Sequence, residues 1–169
     1  MDTSEAVVRR IRPEDAARMR ALRLEMLADA PLAFLETIAD AAARPHAEFV
    51  RRVTYVSAGD EVAQFIAEAD GRFVGHAGGI AAPDDAKLTV IFAVYVTPTF
   101  RGSQVLAQLV DEVAEWSRTA GRPELMLEVV VGNERAVRAY ERLGFVDTGV
   151  RLPHPSISVL TELQMRRPA

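Results

Sequence analysis

Apolar residues recur at helical spacing in two stretches of the first third of the chain. The first helical stretch opens at Pro13 and the second opens at Pro45. Proline suits the first position of a helix because its missing N–H has no partner to lose there. Pro31 ends the first helix, and residues 32–38 form either an apolar loop or a short helix. We expect the two helices to cover one face of a sheet.

Strand-like apolar runs follow the two helices. An Asp70-Gly71 pair, which is typical of hairpin turns, separates the first run from the second. Residues 83–85, Pro-Asp-Asp, turn the chain into the third run. These features predict an antiparallel meander, and the predicted strands, with a short one that precedes the helices, are Val7–Ile11, Val62–Ala69, Phe73–Ile80 and Lys87–Val96.

The second half of the chain alternates helices and strands. Gly121 and Gly144 each follow a stripe of apolar residues at helical spacing, as glycine often does where a helix ends. The predicted elements are a helix over Val105–Ala120, a strand over Leu125–Val131, a helix from Asn133, and strands over Phe145–Thr148 and Ser158–Met165, with a proline-rich loop over 151–155. The pattern predicts one α/β domain over residues 1–169, with a mixed, largely antiparallel sheet of about seven strands and about four helices.

Composition narrows the function classes. The chain has 169 residues, a net charge of −4 and no cysteine, which excludes disulfides, thiolate metal sites and a cysteine nucleophile. Its three histidines lack metal-ligand spacing, so we expect no metal site. No basic face is clustered, and no apolar run approaches the roughly 20 residues of a membrane span. With a polar N-terminus that lacks a signal-like core, we expect a cytoplasmic protein without nucleic-acid or membrane partners.

One connection between a strand and a helix has the chemistry of an anion site. Residues 96–109, VTPTFRGSQVLAQL, pass from an apolar strand through a glycine-containing turn into a helix. The first turn of a helix exposes unpaired N–H groups and the positive end of the helix dipole, so a phosphate can bind there. The same stretch is equally consistent with a plain connection that binds nothing.

Two segments resemble a known family. Residues 96–109 are similar to the acetyl-CoA-binding motif of the GNAT superfamily of N-acetyltransferases. Residues 127–145, LEVVVGNERAVRAYERLGF, resemble that family's second signature, in which asparagine, alanine, tyrosine-glutamate and leucine-glycine-phenylalanine follow one another. The overall pattern resembles the bacterial ribosomal-protein alanine N-acetyltransferases among its members.

The resemblance implies a function and a set of cofactor contacts. It implies direct transfer of an acetyl group from acetyl-CoA, the cosubstrate, to a primary amine of a small molecule, peptide or protein N-terminus, without an acyl-enzyme. A homodimer is an arrangement that the resemblance also allows. The implied cofactor-binding residues lie on the strand, the turn and the two helix starts: Val94, Tyr95, Val96, Arg101, Gly102, Ser103, Gln104, Val105, Leu106, Asn133, Ala136 and Tyr140.

The turn departs from the family motif at two positions. Gln104 and Leu106 stand where the family has glycine and then glycine or alanine. Glycine at such positions lets backbone amides approach a pyrophosphate with no Cβ in the way. The departure therefore favours a second hypothesis, a GNAT-fold binding or regulatory domain that has lost catalysis.

Tyr140 and Glu128 are the candidate catalytic pair. Tyr140 follows Asn133 by seven residues, two helical turns, so both lie on one helix face. The resemblance makes Tyr140 the acid that protonates the leaving thiolate; the alternative is a core aromatic residue. Glu128 lies twelve residues before Tyr140 between apolar neighbours on a strand, where a raised pKa would suit a general base. The alternative for Glu128 is a surface glutamate paired with an arginine.

Five further residues are weaker candidates. His154 lines the acceptor pocket or is simply solvated, and His76, in a glycine-rich strand, is expected to be structural. By fold analogy alone, the first two helices border the acceptor site, and this places three of their charged residues near it: Arg23, Glu25 and Glu36.

Overall fold

A computed structural model describes residues 5–169, so the first four residues of the polar N-terminal stretch lie outside it. Within that range the elements in chain order are β1 (Val7–Arg10), α1 (Ala16–Asp29), α2 (Ile38–Ala43), α3 (His46–Val56), β2 (Val62–Ala69), β3 (Arg72–Ala81), β4 (Leu88–Val96), α4 (Val105–Thr119), β5 (Glu124–Val130), α5 (Glu134–Arg142), β6 (Val146–Pro153) and β7 (Thr161–Pro168). Single turns of 3₁₀ helix over Pro13–Asp15 and Pro98–Phe100 precede α1 and the α4 turn.

The seven strands form one sheet in the order β1-β2-β3-β4-β5-β7-β6. Every neighbouring pair is antiparallel except β4 and β5, which are parallel because α4 crosses between them. The prediction of a mixed, mostly antiparallel sheet of about seven strands is confirmed. No helix in the described part of the chain is both long and apolar enough to cross a membrane.

A core lies on each face of the sheet. One face packs against α4 and, at its margin, α5, and its fully buried residues include Leu109, Val110 and Leu125. Close approach of α4 depends on Gly79, because a Cβ there would lie 3.0 Å from Val113 Cγ1 and from Trp116 Cζ3. The other face packs against α1 and α3.

A buried arginine fastens the end of the sheet where β4 and β5 are paired. The Arg122 side chain donates from Nε to Thr89 Oγ1 (2.8 Å) and from Nη2 to the Asp60 carbonyl (2.7 Å), and it stacks 4.6 Å from the centre of the Trp116 ring. Thr89 in turn shares a 2.7 Å hydrogen bond with Ser117 of α4. These contacts tie β4, and the residue that leads into β5, to α4 at this end.

Two sequence expectations need correction or completion. The proline-rich loop predicted over 151–155 is wrong for residues 151–153, because β6 continues past Thr148 to Pro153, and the connection runs over 154–160 since β7 begins at Thr161 and not at Ser158. β6 is an edge strand in which every residue is exposed. It therefore lacks the alternation of buried and exposed residues that accompanies a strand with one buried face. The undecided stretch 32–38 is mostly loop, and α2 begins at Ile38.

Candidate active site

The parallel strands β4 and β5 separate partway along their length. They are paired only at Leu88↔Glu124, Thr89↔Leu125 and Val90↔Met126, although β4 continues to Val96 and β5 to Val130. Beyond Val90 the edge of β4 that faces β5 therefore has backbone groups without a partner in the sheet. We call this opening the strand gap. Unpaired N–H and C=O groups at a sheet edge can bind an extended ligand.

A bulge in β4 lies where the strands part. Ala93 has a φ of 50°, and the β3–β4 register shifts between His76 and Gly78. His76 Nδ1 lies 2.7 Å from the Ala93 carbonyl oxygen. A carbonyl only accepts, so Nδ1 carries the proton and Nε2 is an unprotonated, buried atom without a partner among residues 5–169. Because bulges bend and twist a strand, the His76 contact holds the bend that turns β4 at the gap.

The buried His76 makes a prediction for acid stability. Burial lowers the pKa of His76 from its ordinary 6.5 to about 4. Below pH 6.5 the unfolded chain binds a proton that the folded chain does not, so the free energy of unfolding falls between pH 6.5 and 4, by about 3 kcal/mol in all. Urea unfolding at pH 7 and pH 4.5 should show that His76→Gln loses less stability on acidification than the parent protein. The exposed His46→Gln is the matched control, and equal losses in all three proteins would contradict this account.

Helix α1, which packs on the face of the sheet opposite α4, binds the end of β4 and the residue that follows it. The Tyr95 hydroxyl donates to Asp29 Oδ2 (3.1 Å), and the Thr97 hydroxyl donates to Glu25 Oε2 (2.7 Å). Tyr95 is itself part of the core under α1 and α3. Its side chain therefore points away from α4, and only its backbone is left for a ligand in the gap.

Arg101, a predicted cofactor residue, is bound to the protein itself. Its Nε donates to the Val96 carbonyl (2.9 Å), its Nη2 forms an ion pair with Asp29 Oδ2 (2.5 Å), and its guanidinium stacks 5.7 Å from the centre of the Tyr95 ring. Arg101 lowers the pKa of Asp29 by this hydrogen bond. The side chain thus fixes the turn that follows β4 and is not a free cation.

The turn into α4 bonds two of its own amides: the Ser103 N–H donates to the Phe100 carbonyl (3.3 Å) and the Val105 N–H donates to Ser103 Oγ (3.3 Å). Gly102 has a φ of +79°, the conformation that favours glycine, and Gln104 keeps an ordinary right-handed backbone (φ −78°, ψ −4°). Gln104 makes no side-chain cap of α4 and is exposed, whereas Leu106 packs against the core under α4. The turn therefore needs a glycine conformation only at Gly102. At Gln104 and Leu106 the family's small residues are not required by the backbone.

Tyr140 lies on the α4 face of the sheet. Asn133 caps α5 by accepting a 3.3 Å hydrogen bond from the Ala136 N–H, and this orients the helix. The Tyr140 ring packs against the core, edge-on to Phe145 with ring centres 5.8 Å apart. Burial raises the pKa of Tyr140, so its hydroxyl stays protonated at neutral pH. That hydroxyl makes no hydrogen bond to any residue in the described range.

Glu128 lies on the opposite face. Its neighbours Leu127 and Val129 are buried in the α4 core, and the alternation along β5 turns Glu128 outward, where it is exposed. The expected apolar enclosure of this carboxylate is therefore wrong. The two candidate catalytic side chains therefore lie on opposite faces of the sheet, and Glu128 lies on the part of β5 that no longer pairs with β4.

Three of the weaker candidates make structural contacts. Glu25 supports β4, while Arg23 and Glu36 pair with each other at 3.0 Å. Sequence reasoning missed Asp29, whose Oδ2 accepts hydrogen bonds from both Tyr95 and Arg101, residues far along the chain. A lone acidic residue near a helix end gives no signal of such a contact.

Comparison with known proteins identifies the family. The model of the Acetyltransferase (GNAT) family matches residues 25–145. An uncharacterised N-acetyltransferase of Methanocaldococcus jannaschii is 30% identical over 95 residues, 54% of this chain and 42% of that protein. The chain spans between 39% and 54% of the length of the first three curated relatives it matches.

Solved structures share the fold along nearly the whole chain. A ribosomal-protein-alanine N-acetyltransferase from Brucella melitensis has a TM-score of 0.74 at 20% identity, covering 96% of this chain and 99% of that one. A putative acetyltransferase from Salmonella typhimurium, solved with acetyl-CoA, has a TM-score of 0.72 at 17% identity, covering 96% and 93%. At these identities the likeness concerns the fold.

Proposed function

The chain belongs to the GNAT acetyltransferase family, and from that premise we propose that it is an N-acetyltransferase that moves an acetyl group from acetyl-CoA directly to a primary amine. The observation that carries the proposal is the strand gap, where β4 and β5 part after Val90↔Met126. Acetyl-CoA supplies an activated acetyl thioester, and an opening with unpaired backbone donors on one wall suits such a group.

The turn into α4 is the proposed pyrophosphate site. Of the backbone amides of residues 102–106 at the start of this 15-residue helix, those of Ser103 and Val105 already donate within the turn, so the amides of Gly102, Gln104 and Leu106 are the proposed donors. The helix dipole adds positive potential there. The backbone of Val94, Tyr95 and Val96 forms the neighbouring wall of the gap, and Asn133 and Ala136 start the helix that carries Tyr140. These residues are the proposed contacts of acetyl-CoA. Arg101 is proposed to contribute indirectly, because its side chain fixes the conformation of the turn.

Glu128 and Tyr140 are proposed to move the two protons of the reaction. As the amine nitrogen bonds to the acetyl carbon and the carbon–sulfur bond breaks, Glu128 accepts the amine proton, directly or through water. Tyr140, which stays protonated at neutral pH, donates its proton to the departing thiolate. The amine approaches from the face of Glu128, and the sulfur lies toward the face of Tyr140.

The acceptor is proposed only as a primary amine of a small molecule, a peptide or a protein N-terminus. A homodimer, a cytoplasmic location and a single domain over the whole chain stay predictions. The alternative, a GNAT-fold binding or regulatory domain without turnover, is favoured by one observation: Gln104 and Leu106 replace small residues in the pyrophosphate turn.

Thermal unfolding with acetyl-CoA tests the proposed cofactor site. A ligand at 100 times its dissociation constant stabilises a protein by about 2.7 kcal/mol, so acetyl-CoA should raise the Tm clearly. Gln104→Gly removes an exposed Cβ from the turn and should increase the shift if that Cβ crowds the phosphates. Gln108→Gly, also exposed but inside α4, is the control for helix destabilisation. No shift in Tm at millimolar acetyl-CoA, in the parent protein and in Gln104→Gly alike, would contradict the proposed cofactor site and favour the domain without turnover.

A further inference from the structure

Two carboxylates lie side by side on the exposed face of the β5–β7 pair. Val130 pairs with Glu162, and Glu128 pairs with Gln164. The two pairs are two residues apart on each strand. Directly opposed residues of an antiparallel pair share a face, and alternate residues on a strand share it too. Glu162 is therefore the diagonal neighbour of Glu128, a spacing of about 7–8 Å.

A buried histidine borders the same position from the residue that follows β6. His154 lies two residues beyond Leu152, which pairs with Glu162, and its backbone N–H donates to the Leu160 carbonyl (2.9 Å), so the chain stays beside β7 there. The His154 side chain is buried, and its Nδ1 accepts hydrogen bonds from the backbone N–H groups of Ser156 (3.1 Å) and Ile157 (3.0 Å). Two such bonds leave no proton on Nδ1, so the neutral ring carries its proton on Nε2. That N–H has no partner in the described part of the chain.

The charges on this face are not balanced within the described protein. Burial and the nearby charge of Glu128 raise the pKa of Glu162, while His154 lowers it. Neither carboxylate has an ion pair among residues 5–169, and Arg166, farther along the face, is paired with Glu124 at 3.4 Å. One ammonium group cannot neutralise both carboxylates, whereas a ligand with two separated positive charges can.

We propose that Glu162 binds a second positive charge on the acceptor, with His154 as the residue that positions it, so that the substrates are amines carrying a further cationic group. This inference rests on the proposed transferase function. The reacting amine lies at Glu128 and gives up its proton there, and the second cationic group stays charged beside Glu162. His154 lies close enough to interact electrostatically with Glu162, and its ring is held in place by the Ser156 and Ile157 amides.

Paired acceptors test the inference. With 1,4-diaminobutane and 1-aminobutane as probes, kcat/KM measured by release of CoA should favour the diamine by roughly 10–100-fold, the range expected for one hydrogen-bonded charge. Glu162→Gln should bring the ratio close to one. Glu115→Gln, at an exposed position on α4, is the control and should leave the ratio unchanged.

Two histidine variants separate positioning from folding. The Asn Oδ1 atom can replace Nδ1 as the acceptor for the Ser156 and Ile157 amides, so His154→Asn should keep the Tm and reduce the diamine preference. His154→Gln, which loses that acceptor, should lower the Tm. A ratio near one in the parent protein, or a ratio that Glu162→Gln does not change, would overturn the inference.

The transferase proposal can fail separately. If acetyl-CoA raises the Tm but neither amine is acetylated, the inferred diamine class is wrong and the cofactor site stands. If acetyl-CoA causes no shift, the proposed function itself fails.

Discussion

Replacing Tyr140 by phenylalanine should lower kcat by about 10²–10⁴-fold, the contribution typical of a positioned general acid. The change removes one hydroxyl and leaves the ring against Phe145, so the fold and the affinity for acetyl-CoA should be nearly unchanged. The physical reason is the lost donor: the Tyr140 hydroxyl is protonated at neutral pH and can donate its proton to the departing sulfur, whereas phenylalanine has no proton to give. The measurement is steady-state CoA release together with the acetyl-CoA thermal shift.

Tyr55→Phe provides the control for Tyr140→Phe. Tyr55 is an exposed tyrosine on α3, so its substitution also removes one hydroxyl but leaves the packing of both cores unchanged. Turnover should match the parent protein. Equal turnover in Tyr140→Phe would remove this hydroxyl from the mechanism, and lost acetyl-CoA affinity would assign it to binding instead.

Replacing Glu128 by glutamine should lower kcat/KM by about 10²–10⁴-fold, because the amide cannot accept the amine proton. The shape of the side chain is kept, so acetyl-CoA should bind as before. Initial rates of CoA release, with the acceptor varied at saturating acetyl-CoA, measure the effect.

Glu124→Gln is the matched control for Glu128→Gln. Glu124 lies on the same strand, at the end where β4 and β5 remain paired, and it loses a carboxylate in the same way. It should retain the parent rate. If the two variants behave alike, the carboxylate near the gap is not the base, and a water or the acceptor itself must lose the proton to solvent.

The order of helices and strands could be predicted because it depends on local patterns of apolar and polar residues. Helix starts at Pro45 and Asn133, and the alternation of buried and exposed residues along β5, follow from single stretches of sequence. β6 could not be predicted beyond Thr148, since an exposed edge strand obeys no burial period. Its position is set by pairing with β7, which lies later in the chain.

The sequence indicates candidate residues for the site but not their geometry. The signatures indicated Tyr140 and Glu128, but their placement on opposite faces of the sheet depends on how α5 and β5 pack. The bulge at Ala93 has no local signal, because alanine rarely adopts a positive φ and a buried histidine on another strand holds it there. Arg101 joins Asp29 across 72 positions of sequence, a contact that no spacing rule indicates.

The opening between β4 and β5 is tested most directly by residue-level amide hydrogen exchange with and without saturating acetyl-CoA. We predict slower exchange at the β4 amides beyond Val90 and at residues 102–106, with little change at residues 124–126, which are already paired. Protection confined to another surface, such as the groove of about 450 Å³ between β1 and α4, would contradict the account, as would unchanged exchange along the whole of β4.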